Sequence, residues 1–519
     1  NGYINIGTVN PATLSSNGAN KNIANRDSTV TTTGDDTKVE GSVGVYTEVA
    51  TRPVKAATYS YDSVNNIEKK TDSYYDDHGN ENTNKIAIGT YENSNGVVKH
   101  AGVTIGTETV EVGATITLGD NASSSYGLRN NTSTVVTKDE HKNQANYTTS
   151  GSITLISGGK VIVKGKKNYG AVSAGDKFKR EVKKGENDYP IRIDDIGKID
   201  INYGAEIEVT GEQSIGYAML SGEGKNAGKI TVTGHGNNSV STTSYDGSLG
   251  FYGVKGTFTN TGTIKTSGNL AHAVVVKNPG MKFEHYGTID VNSPAGTASD
   301  PGTPGNIGVF SDGNATVNFK DNSNVFVRKN SIGIYSEDKA KFNNTFKNYG
   351  TLNIKIEENS TFAYLNGDAT TTLKEFFVKN TDDTDVTVNI TDEMGTNSSL
   401  VYADNGAKAV LDGNYTITKG NTNPSTIALL AANASTVNVA SAKTLTTNTQ
   451  VALAAVSGST AQNDGNVVSN KSDKGIGIYA QDTGSEGINA GTITMEKTNA
   501  IGMYGKDVAK LESSDGSNI

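Results

Sequence analysis

A phrase of the form Ile-Gly-apolar-aromatic recurs along the chain, and its spacing limits the fold more than any other feature. It reads Val43-Gly44-Val45-Tyr46, Ile215-Gly216-Tyr217, Leu249-Gly250-Phe251-Tyr252, Ile307-Gly308-Val309-Phe310, Ile332-Gly333-Ile334-Tyr335, Ile476-Gly477-Ile478-Tyr479 and Ile501-Gly502-Met503-Tyr504. Shorter copies stand at Tyr126-Gly127-Leu128 and Tyr169-Gly170-Ala171. Ile307 to Ile332 is 25 positions, and Ile476 to Ile501 is 25 again. A second phrase, Asn-x-Gly-Thr-Ile-x-apolar, starts at Asn226, Asn260, Asn348 and Asn489, with a near copy at His285. It follows the first by 11 positions, both from Ile215 to Asn226 and from Leu249 to Asn260.

The second phrase alternates: Ile230 and Val232 flank Thr231, and Leu352, Ile354 and Ile356 flank Asn353 and Lys355. Period two means strands with one buried face. Each strand is short and ends at Gly or Asn, which accept the left-handed backbone of a sharp corner. Short strands, glycine corners and a period near 25 predict an all-β fold, a parallel β-helix (solenoid) with one repeat per coil. A single coil cannot bury its own apolar face, so stacking supplies the core. On strict alternation Ile476, Ile478 and Ala480 point inward, in register with Ile501 and Met503, while Gly477 and Tyr479 point outward. The corner residues Asn226, Asn260 and Asn348 are expected to stack as a ladder. Roughly 17–20 coils would make a rod about 80–100 Å long. An array of immunoglobulin-like sandwiches, the competing fold, needs roughly 100 residues per module and a buried aromatic core. A chain without Trp that repeats every 25 residues does not fit it.

Only 34% of the 519 residues are hydrophobic and the net charge is −9, a balance shared with disordered chains. The periodic placement of the apolar residues argues for a folded chain. With no cysteine there is no disulfide framework, Cys-ligated zinc or Cys nucleophile. The same lack suits a chain that crosses an oxidising periplasm unfolded. The acidic balance argues against a nucleic-acid surface. No apolar run reaches the roughly 18 residues of a membrane span, so this segment is not expected to insert in a membrane. The chain opens without Met or a signal segment and closes on SSDGSNI, which reads as a piece, 1–519, of a longer array.

Four stretches interrupt the spacing and predict inserted surface loops: 55–85, 137–150, 176–196 and 293–306. From about 366 to 470 the phrases are worn, as in Ser399–Asp404 and Ala428–Asn433. Insertions in solenoids leave the coil as loops and often carry binding. Tyrosine offers a rigid amphipathic contact face. Tyr59, Tyr61, Tyr74, Tyr75, Asp76 and Asp77 in the first insertion are therefore the leading ligand-binding candidates. Lys177, Lys179, Arg180, Lys183, Lys184 and Tyr189 in the third come second. A solvated loop without a partner is the competing reading of both.

Catalytic signatures are missing from the sequence. There is no Gly-x-Ser-x-Gly, His-Glu-x-x-His, calcium nonapeptide or EF-hand loop. His78, His100 and His141 lie in or near loops and have no ligand spacing. The acidic pairs Asp35-Asp36, Asp194-Asp195 and Asp382-Asp383 read as solvated charge, although β-helical polysaccharide-cleaving enzymes group such residues on one face. The expectation is a chain that is not an enzyme and needs neither metal nor cofactor.

The segments SIGIYSEDKA, GIGIYAQD, AIGMYGKD and NYGTLNI, without cysteine and among abundant Asn, Gly and Thr, resemble the passenger repeats of the large fusobacterial type Va autotransporter adhesins, the RadD-like and galactose-binding group. The resemblance covers the repeats, about half of the residues over nearly the whole length. It implies a right-handed β-helical passenger on the cell surface, anchored through a C-terminal β-barrel not present in this sequence. It further implies adhesion to a host cell-surface protein or glycan, or to a partner bacterium. It carries over no catalytic residue and no binding residue. A purely structural stalk with its binding tip elsewhere stays open as the alternative, and a polysaccharide-cleaving enzyme stays open behind it.

Overall fold

The computed structural model describes residues 21–23, 29–32, 39–40, 43–50, 58–62, 67–71, 91–94, 97–100, 103–133, 147–175, 197–235, 247–294, 305–312, 314–337, 342–367, 370–379, 384–417, 419, 423–471 and 473–519. Their backbone is almost all strand, with two four-residue helices, Phe342–Thr345 and Lys374–Phe377. The chain is a parallel β-helix. Each coil contributes one strand to a 14-stranded sheet, called here the long sheet, and one to each of two flank sheets. A representative coil runs from Ile215–Met219 in the long sheet to Glu223–Asn226 in the first flank sheet and Lys229–Val232 in the second. The next coil repeats the path, and its strands pair parallel with these: Tyr217 opposite Phe251, Asn226 opposite Asn260, Ile230 opposite Ile264. The 25-residue spacing is thus the length of a coil without insertions.

One core runs inside the coils, with Ile207, Tyr217, Ile230, Phe251, Phe258, Ile264, Ile289, Val309 and Ile334 all fully buried. Alternation holds in the flank sheets but fails in the recurring phrase of the long sheet. Ile478 and Ala480 are buried and Tyr479 lies outside, as strict alternation expects. Gly477 instead faces inward and Ile476 outward. Pairing runs from Ile476 to Ile501 and from Ile478 to Met503, skipping the glycine, so two successive residues face the core. A local break of this kind is what a bulge does to a strand. The inner position at Gly477 is already occupied by the facing sheet, since a Cβ there would stand 2.6 Å from Ile493 Cγ2. The same crowding holds at Gly216 against Ile230 and at Gly250 against Ile264. Met503 packs on the core while Ile501 is 43% exposed, so only the first of that pair follows expectation.

Two buried polar ladders run along the corners. Asn226 Nδ2 donates to Asn260 Oδ1 at 2.7 Å, and Asn260 Nδ2 donates to His285 Nδ1 at 3.1 Å. Asn463 Nδ2 donates to Asn489 Oδ1 at 2.8 Å, repeating the step later in the chain. Asn348 holds the equivalent position but does not join the ladder, because the coil before it carries Phe319 there. Its amide donates to the Thr387 carbonyl instead. The second ladder precedes the long sheet. Ser125 N–H donates to Asn168 Oδ1, Asn168 N–H to Ser214 Oγ, Ser214 N–H to Ser248 Oγ and Ser331 N–H to Ser360 Oγ. Buried corner amides need such partners, because an unpaired buried donor costs about as much as a lost hydrogen bond.

The worn region is continuous in the long sheet, where Ala363 pairs with Val401, Val401 with Leu429, Leu429 with Leu453 and Leu453 with Ile478. The flank sheets do change. The first pair ends at Phe346–Asn348 and Thr387–Ile390, and a second pair begins at Thr370–Thr372 and Tyr415–Thr416. Phe342, Phe346, Phe362, Phe376 and Phe377 fill the junction, with Phe376 within 5.2–6.1 Å of four other rings. Fourteen described strands in the long sheet make a stack about 62 Å long at 4.8 Å per coil. The described residues thus account for fewer coils than length alone predicts. Two insertion limits also move. Residues 147–150 belong to the strand Tyr147–Leu155. Ser293 and Asn306 are buried, with Asn306 N–H donating to Ser293 Oγ.

Candidate binding surfaces

Of the predicted contact residues, Tyr59 and Tyr61 occupy alternate positions of the strand Thr58–Asp62, opposite Lys70 and Glu68 of Ile67–Thr71. These two strands pair antiparallel with each other and, among the described residues, with no coil strand. They form a hairpin inserted between Val43–Ala50 of the long sheet and Val103–Val112 of the first flank sheet. Tyr74, Tyr75, Asp76, Asp77, Lys177, Lys179, Arg180, Lys183, Lys184 and Tyr189 lie outside the described residues.

The corners differ in what leaves them. The connections holding residues 51–102, 134–146 and 176–196 run from the long sheet to the first flank sheet. Those holding 236–246 and 295–304 run from the second flank sheet back to the long sheet. All five border the long sheet. The corner between the flank sheets is tight, with only Ala227-Gly228, Thr261-Gly262, Tyr286-Gly287 and Ala490-Gly491 between strands. Its longest described connection carries the helix Lys374–Phe377.

The outer faces differ as well. On the second flank sheet, Lys160 pairs with Glu208 at 2.7 Å, Arg328 bridges Asp290 at 2.8 Å and Glu357 at 2.9 Å, and Lys355 reaches Asp392 at 3.2 Å. The long sheet instead carries apolar residues outside. Leu249, Val275, Ile307, Phe310, Ile332 and Tyr335 form a buried cluster separate from the core. Phe310, Tyr335, Tyr364 and Tyr402 follow one another at 5.1, 5.2 and 4.9 Å between centroids. Tyr364 donates to Asp404, whose other oxygen accepts from Asn433 Nδ2 at 2.7 Å. Burial, then that hydrogen bond, pushes the Tyr364 hydroxyl well above the usual phenol range. Burial, with the Asp404 charge, pushes Tyr402 up to about 12. These phenols stay protonated near neutral pH, and Tyr364 acts as a hydrogen-bond donor.

A further set escaped the loop-centred reading. Among the described residues, and away from the last coil, the exposed large apolar side chains are Tyr203, Leu220, Tyr286 and Tyr349. The three tyrosines sit on the corner between the flank sheets, each followed by glycine. The triplets Asn202-Tyr203-Gly204, His285-Tyr286-Gly287 and Asn348-Tyr349-Gly350 are the sequence signal they share, although Asn168-Tyr169-Gly170 carries the same signal at the start of a long-sheet strand.

Among the described residues, no group of three or more His, Cys, Asp or Glu is placed to hold a metal ion, and no helix is long and apolar enough to cross a membrane. The chain matches no family model, no curated protein and no solved structure.

Proposed function

We propose that the chain is a surface-exposed segment of a bacterial adhesin, a stiff β-helical arm whose insertions contact a host-cell receptor or glycan, or the surface of a partner bacterium. The observation that carries this reading is that five long connections leave the two corners bordering the long sheet, against one, between Thr372 and Thr387, at the corner between the flank sheets. The long-sheet side of the rod thereby displays most of the long connections, while the ladders, ion pairs and core hold the remainder. Loops on a rigid scaffold are the usual seat of recognition. The hairpin bearing Tyr59 and Tyr61 is the leading contact element. No catalytic step is assigned to the chain.

The test is binding of the purified chain to epithelial cells, lymphocytes and partner bacteria, with residues 55–85 intact or replaced by a short turn. Loss of binding in the shortened form supports a recognition role for the insertion. Absence of binding by either form sinks the reading and favours a stalk. The observation on the stalk's side is the unbroken 14-stranded sheet, which suits a spacer.

A further inference from the structure

We propose that the corner between the flank sheets, over its tight turns up to Tyr349-Gly350, is a second binding site, which takes an extended anionic oligosaccharide, with Tyr286 and Tyr349 as stacking surfaces and Lys320 between them as the charge contact. The three residues occupy successive coils. Tyr286 N–H donates to the Asn260 carbonyl, Lys320 N–H to the His285 carbonyl and Tyr349 N–H to the Phe319 carbonyl, each one coil back along the same corner. The tyrosines are therefore two coil steps apart, about 10 Å along the axis. They are 47% and 44% exposed, and neither phenol has a hydrogen-bond partner among the described residues.

The turn itself does not call for an aromatic residue, since Ala227, Thr261 and Ala490 fill equivalent corner positions. Exposed aromatic faces in a row are the usual platform for the C–H faces of pyranose rings. Lys320 Nζ lies 4.2 Å from the Tyr349 ring centroid and 2.8 Å from Glu284 Oε2. Lys282 Nζ lies 2.6 Å from Glu284 Oε1, which also accepts from Asn318 Nδ2 at 2.8 Å. Glu284 thus holds two ammonium groups beside the tyrosines. Lys347 follows Asn318 in the outer row of the same sheet. Lys282, Lys320 and Lys347 against Glu284 and Asp321 leave one net positive charge at the site, in a chain of net charge −9. A carboxylated or sulfated sugar matches that sign, and a neutral one has no use for it. From Ala227 to Gly350 the strand connections at this corner are only two or three residues long, so an extended ligand has a clear track over those five coils, up to the connection that carries the helix Lys374–Phe377.

This site extends the adhesive reading to a different face, and its test leaves the hairpin untouched. Calorimetric titration of the full chain would use a heparin-derived oligosaccharide, a hyaluronan oligosaccharide and a neutral cello-oligosaccharide. The expected result is saturable binding of one or both anionic probes, which also tells sulfate from carboxylate recognition, and none of the neutral one. Tyr286→Ala and Tyr349→Ala should each weaken binding about tenfold, the effect of losing one good contact. Lys320→Ala should weaken it and flatten its salt dependence. Lys510→Ala, in the last coil, should bind as the parent does. Melting curves confirm that the variants fold. Three outcomes overturn the proposal: no binding of either anionic probe, equal binding of the neutral one, or unchanged binding by the folded Tyr286→Ala/Tyr349→Ala double variant.

Discussion

Gly477 and Ile493 meet across the interior of one coil, with the missing side chain of the first making room for the second. The relation recurs at Gly250, where a Cβ would stand 2.6 Å from both Ile264 Cγ2 and the Ala273 carbonyl oxygen. Neither neighbour can yield cheaply, because one is a buried core methyl and the other is backbone in a paired strand. Gly250→Ala is expected to destabilise the chain by about 1–3 kcal/mol, the usual cost of overpacking. Gly280→Ala, where the nearest atom is the flexible Lys255 side chain at 3.5 Å, should change little. Urea unfolding midpoints of the two variants decide it, and equal midpoints would refute the packing account.

The recurrence at 25 positions was enough to read the coil, the strand pairing and the stacking of Asn226 on Asn260, because each repeats the same physical need from turn to turn. It was not enough to show that Phe319 keeps Asn348 out of the ladder. Orientation within the long-sheet phrase was less legible. Alternation assigns Gly477 outward, yet the pairing skips it, and the opposing Ile493 together with the Gly502 carbonyl explains why that position tolerates nothing larger. The stretch from Ser399 to Ala455 looked worn because its inner positions use small residues such as Ala403, Ala431 and Ala455, which keep register without keeping the phrase. The corner tyrosines were hidden for another reason. Tyr286 and Tyr349 stand inside the structural repeat, where loop-centred reasoning does not look.

The amide ladder gives a second expectation. Asn260 is fully buried and serves both neighbours, accepting from Asn226 and donating to His285. Asn260→Ala leaves the His285 Nδ1 acceptor unpaired and takes one acceptor from Asn226, whose amide keeps a weaker 3.3 Å contact to the Thr263 carbonyl. Stranding a buried polar group costs about 1–3 kcal/mol. Thermal unfolding should report that loss, and a variant as stable as the parent would show the ladder to be incidental.

His285 takes the place of an asparagine in this ladder and makes it sensitive to acid. Its Nε2–H donates to the Asn324 carbonyl and its Nδ1 accepts from Asn260, so the bonded ring is neutral. Burial lowers its pKa to about 4. Above the ordinary imidazole value of about 6.5 both folded and unfolded chains carry the neutral ring, and stability is complete. Below it the unfolded chain takes up a proton that the folded one refuses, so stability falls until the pH reaches the folded value near 4, then levels. His272, which burial shifts in the same direction, adds to the effect. His285→Asn should therefore show a smaller loss of stability between pH 7 and pH 5 than the parent. Urea midpoints at the two pH values measure it, and identical slopes would place the acid response elsewhere.

Phe376 marks the point where the rod is weakest as a cooperative unit. The two flank sheets break there one coil apart, the second still pairing Leu352 with Val388 where the first is broken and the first pairing Thr370 with Lys408 where the second is. The long sheet alone carries hydrogen-bonded pairing through both breaks, by way of Ala363 and Val401. Coupling across the junction therefore leans on the packed rings of Phe319, Phe342, Phe362, Phe376 and Phe377. Stability in a solenoid is close to a sum of coil terms and nearest-neighbour interfaces, so one weak interface can separate two unfolding blocks. Phe376→Ala removes about 3–5 kcal/mol at that interface. Calorimetric unfolding of the variant should resolve two transitions, the lower one absent or merged in the parent. A single transition shifted to lower temperature would mean that the long sheet alone suffices to couple the two halves.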